Sequence, residues 1–99
     1  MCAGATASSD ISIGRHCQLH AGATLGHDDL LGDFVTIAPG AVVSGRVVIG
    51  DGTFVGAGAV ILPDVTIGRW STIGAGAVVT RDIPDNATVM GVPARPRGS

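Results

Sequence analysis

Residues 41–79 read AVVSGRVVIGDGTFVGAGAVILPDVTIGRWSTIGAGAVV. In this stretch an aliphatic residue returns every six positions, and the same spacing extends back along the chain to Ile13. A six-residue period is neither that of a helix nor the plain alternation of a strand. It is typical of a chain that repeats a short strand and a turn, so the repeat decides the fold. The twelve aliphatic residues are Ile13, Leu19, Leu25, Leu31, Ile37, Val43, Ile49, Val55, Ile61, Ile67, Ile73 and Val79.

A second column of residues stands two positions before each aliphatic residue and is mostly small or apolar, as at Ala41 and Val47. Because side chains two apart on a strand point to the same side, both columns should face inward. The residue after each aliphatic one is usually glycine, which suits a tight or positive-φ turn. Each hexad is therefore predicted to be a short strand followed by a turn.

Turn sequences match at a spacing of eighteen residues. Residues 20–22, 38–40, 56–58 and 74–76 read HAG, APG, GAG and GAG, whereas the other two turns of each coil differ from these. Three strands per coil explain that spacing, with stacked strands about 4.8 Å apart. The sequence predicts an all-β fold, a parallel β-helix of hexapeptide repeats in which one chain forms four to five triangular coils.

The predicted organisation is a single β-helix domain over residues 1–99, with regular hexads over about 8–83 and an irregular tail over 84–99. The tail is expected because Asp85 stands where the next aliphatic residue should be. The chain has three aromatic residues of the Phe and Trp types, as a narrow prism filled by Ile, Val, Leu and Ala would require.

Charge and hydropathy argue against several kinds of protein. A net charge of −2 provides no basic face for nucleic acid. No apolar run approaches the roughly 18 residues that a membrane span needs. The first ten residues, MCAGATASSD, have neither the basic start nor the apolar core of a signal peptide. We therefore expect a cytoplasmic protein in which Cys2 and Cys17 are reduced.

The predicted outward positions form β-branched and aliphatic stripes. A stripe of this kind is typical of a surface that a partner covers, and cyclic self-association suits a regular rod. The alternative is an apolar surface that a stiff β scaffold tolerates in water. The outward residues on two of the faces are Thr24, Val42, Val60 and Val78, and Leu30, Val48 and Thr66.

Two parts of residues 25–95 carry a resemblance: the His-Asp pair at 27–28 followed by GDF and a small corner, and the closing DIPDN…GVPAR. Over about residues 8–95 the chain resembles the hexapeptide-repeat acyltransferases. It is most similar to the branch with sialic acid O-acetyltransferases and bacterial UDP-amino-sugar N-acetyltransferases. The resemblance implies that the coil is left-handed, which the period alone would not indicate, since most crossovers are right-handed.

The resemblance also implies a homotrimer with three active sites, each between neighbouring subunits, and acetyl-CoA lying in the groove. His27 matches the base that takes a proton from the acceptor, and Asp28 matches the acidic residue that orients it. This chemistry fits the residue types, because an amine or hydroxyl must lose a proton as it attacks a thioester, and histidine titrates near neutral pH. The expected function is acetyl transfer to an amine or hydroxyl of a sugar or similar small polar acceptor.

Asp29 occupies an inward column in which the other residues are small or apolar, and where relatives usually carry cysteine. A buried carboxylate needs partners, so Asp29 is expected either to bond the backbone of the coil or to be coupled to His27, sharing the role of Asp28. The alternative is that the repeat is out of register at this turn.

The bare corner of small residues is the expected track for the pantetheine arm, since small corners let a ligand approach the backbone. In the resembling family the CoA-contacting positions correspond to Ala57 and Ala75, next to Gly56 and Gly74, with Thr36 on the same side of the groove. Some relatives carry a second histidine at the position of Thr36. Arg95 and Arg97 are candidates to pair with CoA phosphates. Cys17 should point inward and so should not carry the acyl group, which is expected to pass directly from acetyl-CoA to the acceptor. No metal cofactor is expected.

Sugar-modifying relatives carry an N-terminal βαβ domain that binds the sugar or nucleotide, whereas fewer than a dozen residues precede the predicted coil. Either the helix binds the acceptor, or another chain supplies the acceptor-binding domain, or the sequence is a fragment. Two other functions remain open: a non-catalytic trimeric scaffold, and a metal-dependent hydratase like the γ-carbonic anhydrases. The second would need a histidine cluster, but His16, His20 and His27 fall on three different corners.

Overall fold

The computed structural model describes residues 6–7 and 11–96, which form fifteen short β-strands in three sheets. Sheet I contains β1 (Thr6–Ala7), β4 (Thr24–Leu25), β7 (Val42–Val43), β10 (Val60–Ile61) and β13 (Val78–Val79). Sheet II contains β2 (Ser12–Ile13), β5 (Leu30–Leu31), β8 (Val48–Ile49) and β11 (Thr66–Ile67). Sheet III contains β3 (Gln18–Leu19), β6 (Thr36–Ile37), β9 (Phe54–Val55), β12 (Thr72–Ile73), β14 (Thr88–Met90) and β15 (Arg95–Pro96).

From β1 to β13, consecutive strands of the chain lie in different sheets, and each strand from β1 to β10 pairs in parallel with the strand three places later. In sheet I, Val42 lies opposite Val60, which lies opposite Val78, so paired residues are eighteen apart. Backbone hydrogen bonds join the coils; the N–H of Val42, for example, donates to the carbonyl of Ala59 at 2.8 Å. The three sheets are the walls of a triangular parallel coil, which confirms the predicted fold class.

Both predicted inward columns form the core. Eleven of the twelve aliphatic residues are buried, from Leu19 to Val79. The exception is Ile13, which is 37 % exposed because it lies in the end strand of sheet II. Each fully buried Val, Ile or Leu side chain stabilises the fold by about 1.5–3 kcal/mol, so these columns hold the coils together.

The turns differ from the sequence-based expectation in one respect. The positive φ angle belongs to the third turn residue, such as Gly58 (69°) or Asp28 (62°), and not to the glycine that follows the aliphatic residue. That first glycine has a steric role: a Cβ on Gly56 would lie 2.6 Å from the backbone nitrogen of Ala75 in the next coil. Close stacking of the coils therefore excludes a side chain at this position.

The coil continues beyond Val79, the last aliphatic residue of the unbroken six-residue spacing. Ile83 bridges to Ile67, and Val89 in β14 pairs with Ile73, so the last coil is two residues shorter than the others. Ile83 and Val89 are six apart and both are buried, whereas Asp85 lies in a turn and accepts a hydrogen bond from the N–H of Arg69 at 2.8 Å. β15 then pairs with β14 in the antiparallel direction.

The turns stack into three edges along the prism. Backbone bonds run up each edge, for example from the N–H of Arg46 to the carbonyl of His27 at 2.9 Å. We call the edges the histidine edge (residues 26–28, 44–46 and 62–64), the small-residue edge (20–22, 38–40, 56–58 and 74–76) and the aromatic edge (14–16, 32–34, 50–52 and 68–70).

The described ranges contain no helix with the length and hydropathy of a transmembrane span.

Candidate active site

His27 and Asp28 lie in the turn between β4 and β5, on the histidine edge. Nδ1 of His27 is 3.0 Å from Oδ2 of Asp28, and both side chains are about half exposed. An ionised carboxylate only accepts hydrogen bonds, so the Nδ1–H donates and the lone pair is left on Nε2. The pair therefore presents an oriented imidazole whose free nitrogen can accept a proton.

The imidazole of His27 lies against Gly45 in the next coil. A Cβ on Gly45 would be 3.0 Å from Nε2 of His27 and 3.2 Å from Cε1, closer than side chains normally approach. Gly45 thus leaves the space that the ring occupies. The sequence-based hypothesis did not include Gly45, although its position eighteen residues after His27 is a signal that could have found it.

An ion pair continues the histidine edge above the His27–Asp28 pair. Arg46 donates from Nε to Oδ1 of Asp64 at 2.6 Å and from Nη2 to Oδ2 at 3.0 Å. This bidentate contact lowers the pKa of the Asp64 carboxyl and raises the pKa of Arg46. Asp28, Arg46 and Asp64 are eighteen residues apart and all have φ near 60°. This pair was not predicted from the sequence, although the eighteen-residue spacing from Asp28 indicates it.

Asp29 points into the prism and is fully buried. Its Oδ1 accepts the backbone N–H of Val47 at 2.9 Å, while Oδ2 has no partner among the described residues. Burial raises the pKa of this carboxyl, although the backbone N–H groups of Val47 and Gly26 partly oppose that shift. β5 keeps the eighteen-residue register on both sides, so Asp29 is not a slip in the repeat. Of the two predicted partners of Asp29, the coil backbone and His27, the structure shows a hydrogen bond to the backbone.

Two turns of the small-residue edge, residues 56–58 and 74–76, consist only of glycine and alanine. The N–H of Gly76 donates to the carbonyl of Ala57 at 2.9 Å, so the turns that carry Ala57 and Ala75 stack on one edge. A Cβ added to Gly58 or Gly76 would meet nothing within 4 Å. Gly56 is buried, and a Cβ on Gly74 would lie 3.0 Å from Cβ of Met90, so close stacking explains both of these glycines.

The structure separates the predicted base from the predicted cofactor track within one chain. The strands of sheet I begin after the small-residue edge and end at the histidine edge, so a whole wall lies between Ala57 and His27. Thr36 and Arg95 lie on sheet III, whose strands β6, β9 and β12 lead into the small-residue edge. Arg95 is exposed, and Arg97 lies outside the described residues.

The three histidines lie on three edges, and His16 stacks on Phe34 with 5.2 Å between the ring centres. Over residues 6–7 and 11–96, no three His, Cys, Asp or Glu side chains gather as a metal-binding group would. Cys17 is half-buried, and its thiol donates to the carbonyl of Gly32 at 3.1 Å. That contact gives the thiol a structural role.

The family described as bacterial transferase hexapeptide (six repeats) matches residues 30–63 and 46–81, together just over half of the chain. The chain belongs to this family. Its coil is accordingly the left-handed parallel β-helix that the resemblance implied. None of the curated protein sequences matches the chain.

Several solved acetyltransferases share the fold. The acetyltransferase domain of PglB from Neisseria gonorrhoeae FA1090, in complex with acetyl coenzyme A, is 38 % identical, with a TM-score of 0.81 over 95 % of this chain and 55 % of that one. PerB from Caulobacter crescentus, in complex with CoA and GDP-perosamine, is 33 % identical, with a TM-score of 0.74 over 97 % and 55 %. Serine acetyltransferase (CysE) of Neisseria gonorrhoeae is 35 % identical, with a TM-score of 0.89 over 94 % and 40 %. The chain thus spans about half the length of these structures.

Proposed function

We propose that this protein is an acetyl-CoA-dependent acetyltransferase that acylates an amine or hydroxyl group of a sugar-like acceptor. The observation that carries the proposal is the contact between His27 and Asp28, which leaves Nε2 of an exposed imidazole free to accept a proton. The CoA-bound relatives support acyl transfer, and the GDP-perosamine bound to PerB supports a sugar-like acceptor.

His27 acts as the general base in this proposal. Its Nε2 takes a proton from the acceptor as the acceptor nitrogen or oxygen bonds to the thioester carbonyl carbon. Asp28 holds the imidazole through Nδ1 and stabilises its cationic form. When the carbon–sulfur bond breaks, CoA leaves with the sulfur, and His27 can return the proton to it. Transfer is direct, and no residue of the chain carries the acetyl group.

The small-residue edge is the proposed track for the pantetheine arm. Gly58 and Gly76 leave open space, and the N–H groups of Ala57 and Ala75 have no acceptor among the described residues. A thin, extended ligand with carbonyl and amide groups fits a surface of this kind. Thr36 and Arg95 lie on sheet III, and in this proposal the guanidinium of Arg95 pairs with a CoA phosphate.

The proposed active form is a homotrimer. Sheet I separates His27 from the track within a chain, so one subunit's His27 would meet a neighbour's small-residue edge. The exposed outward side chains, including Leu30, Val42 and Val48, support an interface, because they would otherwise leave apolar surface in water. We also propose a cytoplasmic location, where a free thiol such as that of Cys17 stays reduced.

The direct test is His27→Ala, assayed by the release of CoA thiol from acetyl-CoA with a panel of amino sugars and hydroxylated acceptors. Removal of the base should lower kcat by about 10²–10⁴-fold, while calorimetric titration should show unchanged CoA binding. His16→Ala is the matched control, because His16 is an exposed turn histidine on the aromatic edge. Unchanged turnover in His27→Ala would remove His27 from the mechanism, and absence of CoA binding in the wild type would favour a non-catalytic scaffold.

A further inference from the structure

Polar side chains inside the prism follow one bonding rule. Thr53 donates from its hydroxyl to the carbonyl of Gly68, fifteen residues on, at 2.7 Å, and accepts the N–H of Ser71, eighteen residues on, at 3.3 Å. In the shorter last coil, Ser71 likewise donates to the carbonyl of Pro84 at 2.8 Å and accepts the N–H of Ala87 at 3.4 Å. Each of these two inward hydroxyls therefore makes two hydrogen bonds to the next coil, one as donor and one as acceptor.

Asp29 makes half of the same pattern. It accepts the N–H of Val47, eighteen residues on, as the rule requires. The carbonyl fifteen residues on belongs to Ser44, and it accepts no hydrogen bond among the described residues. The second carboxyl oxygen of Asp29 is buried and likewise has no partner in the part of the chain that the structure describes. A carboxylate cannot donate to a carbonyl, whereas a carboxylic acid can.

We propose that Asp29 is a neutral carboxylic acid in the folded protein, and that its hydroxyl donates to the Ser44 carbonyl. Together with the Val47 contact, this bond would clamp the turn of His27 and Asp28 onto the turn of Gly45 and Arg46. Asp29 is then a positioning residue, acting on His27 through the backbone. Only that last role rests on the proposed acetyl transfer.

The surroundings of Asp29 favour the neutral form. Ile11 and Val47 stand before and after it in the same inward column, eighteen residues away on each side, and supply no charge. The charged groups that act on it are His27 and Asp28, of which His27 favours ionisation and Asp28 opposes it. Burial is the largest influence and raises the pKa of Asp29, against the opposing effect of the backbone N–H groups of Val47 and Gly26. An anion here would be desolvated and would stand beside the carboxylate of Asp28.

The state of Asp29 can be read from stability against pH. A carboxyl whose pKa is raised by folding stabilises the folded state fully below its ordinary value of 3.8. That stabilisation is lost as the pH rises toward the higher folded pKa, because the folded protein then keeps a proton that the unfolded chain releases. Asp29→Asn keeps a donor and an acceptor but has no proton to lose.

The experiment is urea unfolding of wild type and Asp29→Asn from pH 4 to pH 8. The ratio of the wild-type unfolding constant to that of the variant should rise with pH, by up to about tenfold per unit. A ratio that stays flat or falls would overturn the proposal. Asp28→Asn is the matched control, since that carboxyl is half exposed and should not reproduce the trend.

Two further measurements separate this inference from the proposed function. The ¹³C carboxyl shift of Asp29 in the wild type at pH 7 should be that of the acid; the shift of a carboxylate would refute the proposal even if no variant folds. In turnover assays, Asp29→Ala should lower kcat and leave the KM for acetyl-CoA unchanged, and Asp29→Asn should restore most of the loss. If Asn fails where Ala fails, Asp29 acts as an anion. The stability and NMR results stand whether or not the protein is an acetyltransferase.

Discussion

At the scale of single residues, the candidate site depends on one short contact and one missing side chain. Asp28 engages Nδ1 of His27 at 3.0 Å, and Gly45 leaves room for the face of the ring. Asp28 reaches this position because its backbone adopts a φ of 62°, which aspartate tolerates better than most residues. The geometry of the proposed base is therefore set by two adjacent turns of different coils.

Gly45→Ala should misplace the imidazole without unfolding the coil. The new Cβ would lie 3.0 Å from Nε2 of His27, so the exposed ring must move by a few tenths of an ångström. Since misplacement by about 1 Å can cost on the order of 10²-fold in rate, we expect kcat to fall about tenfold. The KM for acetyl-CoA and the urea midpoint should stay near the wild-type values. A variant with wild-type kcat would show that Gly45 does not constrain the base.

At the scale of strands and coils, each element is too short to be stable alone and depends on its neighbours. A two-residue strand such as β7 gains its backbone partners from β4 and β10. The energy comes from the inward columns, so stability should be close to a sum over stacked coils, as in other repeat proteins. The last coil obeys the same logic although it is two residues shorter.

Val89→Ala tests whether β14 belongs to this stack. Val89 is fully buried against the preceding coil, so removal of its methyl groups should lower the free energy of unfolding by about 2 kcal/mol. Val92→Ala is the matched control, because Val92 is 73 % exposed and its truncation should cost less than about 0.5 kcal/mol. Urea unfolding followed by circular dichroism measures both. If Val89→Ala lowers the free energy of unfolding as little as Val92→Ala does, β14 contributes nothing to the core.

At the scale of the whole molecule, the proposed base and the proposed cofactor track lie on different edges, with sheet I between them. Neither edge has the complete set of groups for acyl transfer. A cyclic assembly would join one subunit's histidine edge to its neighbour's small-residue edge and use three equivalent sites. Apolar residues such as Val42 and Leu30, exposed on the walls, would be covered in the same step.

Mixing two inactive variants tests this arrangement. His27→Ala removes the base, and Ala75→Leu puts a side chain on the bare edge, where it should raise the KM for acetyl-CoA. Each protein alone should be nearly inactive, whereas trimers refolded from an equal mixture should regain up to about a quarter of wild-type activity. Recovery is expected because some boundaries then combine an intact base with an intact track. If mixed trimers form, as mass spectrometry can verify, and no activity returns, both parts belong to one subunit.

The fold could be predicted because the residues that stabilise it recur at a fixed spacing in the sequence. Every coil buries the same two columns, so the six- and eighteen-residue spacings by themselves determined the strands, the three walls, and which turns share an edge. The His27–Asp28 pair was singled out by the family resemblance and not by its polarity, since other turns also carry polar pairs, such as Arg15–His16. Ile83 and Val89 also keep the six-residue spacing, but the repeat before Ile83 is two residues shorter, so counting in sixes from Val79 does not reach them.

Tertiary structure decided what depends on contacts between coils. Gly45 matters because the His27 ring lies over it, and Arg46 bonds Asp64 one coil away. Within residues 6–7 and 11–96, one carboxyl oxygen of Asp29 has a hydrogen-bond partner and the other has none. The positive φ angles likewise fall on the third turn residue, where neighbouring coils leave room, and not on the glycines that make the closest approach. A linear period determines which residues are stacked, whereas the position of each atom within the stack depends on the packing of side chains eighteen residues apart.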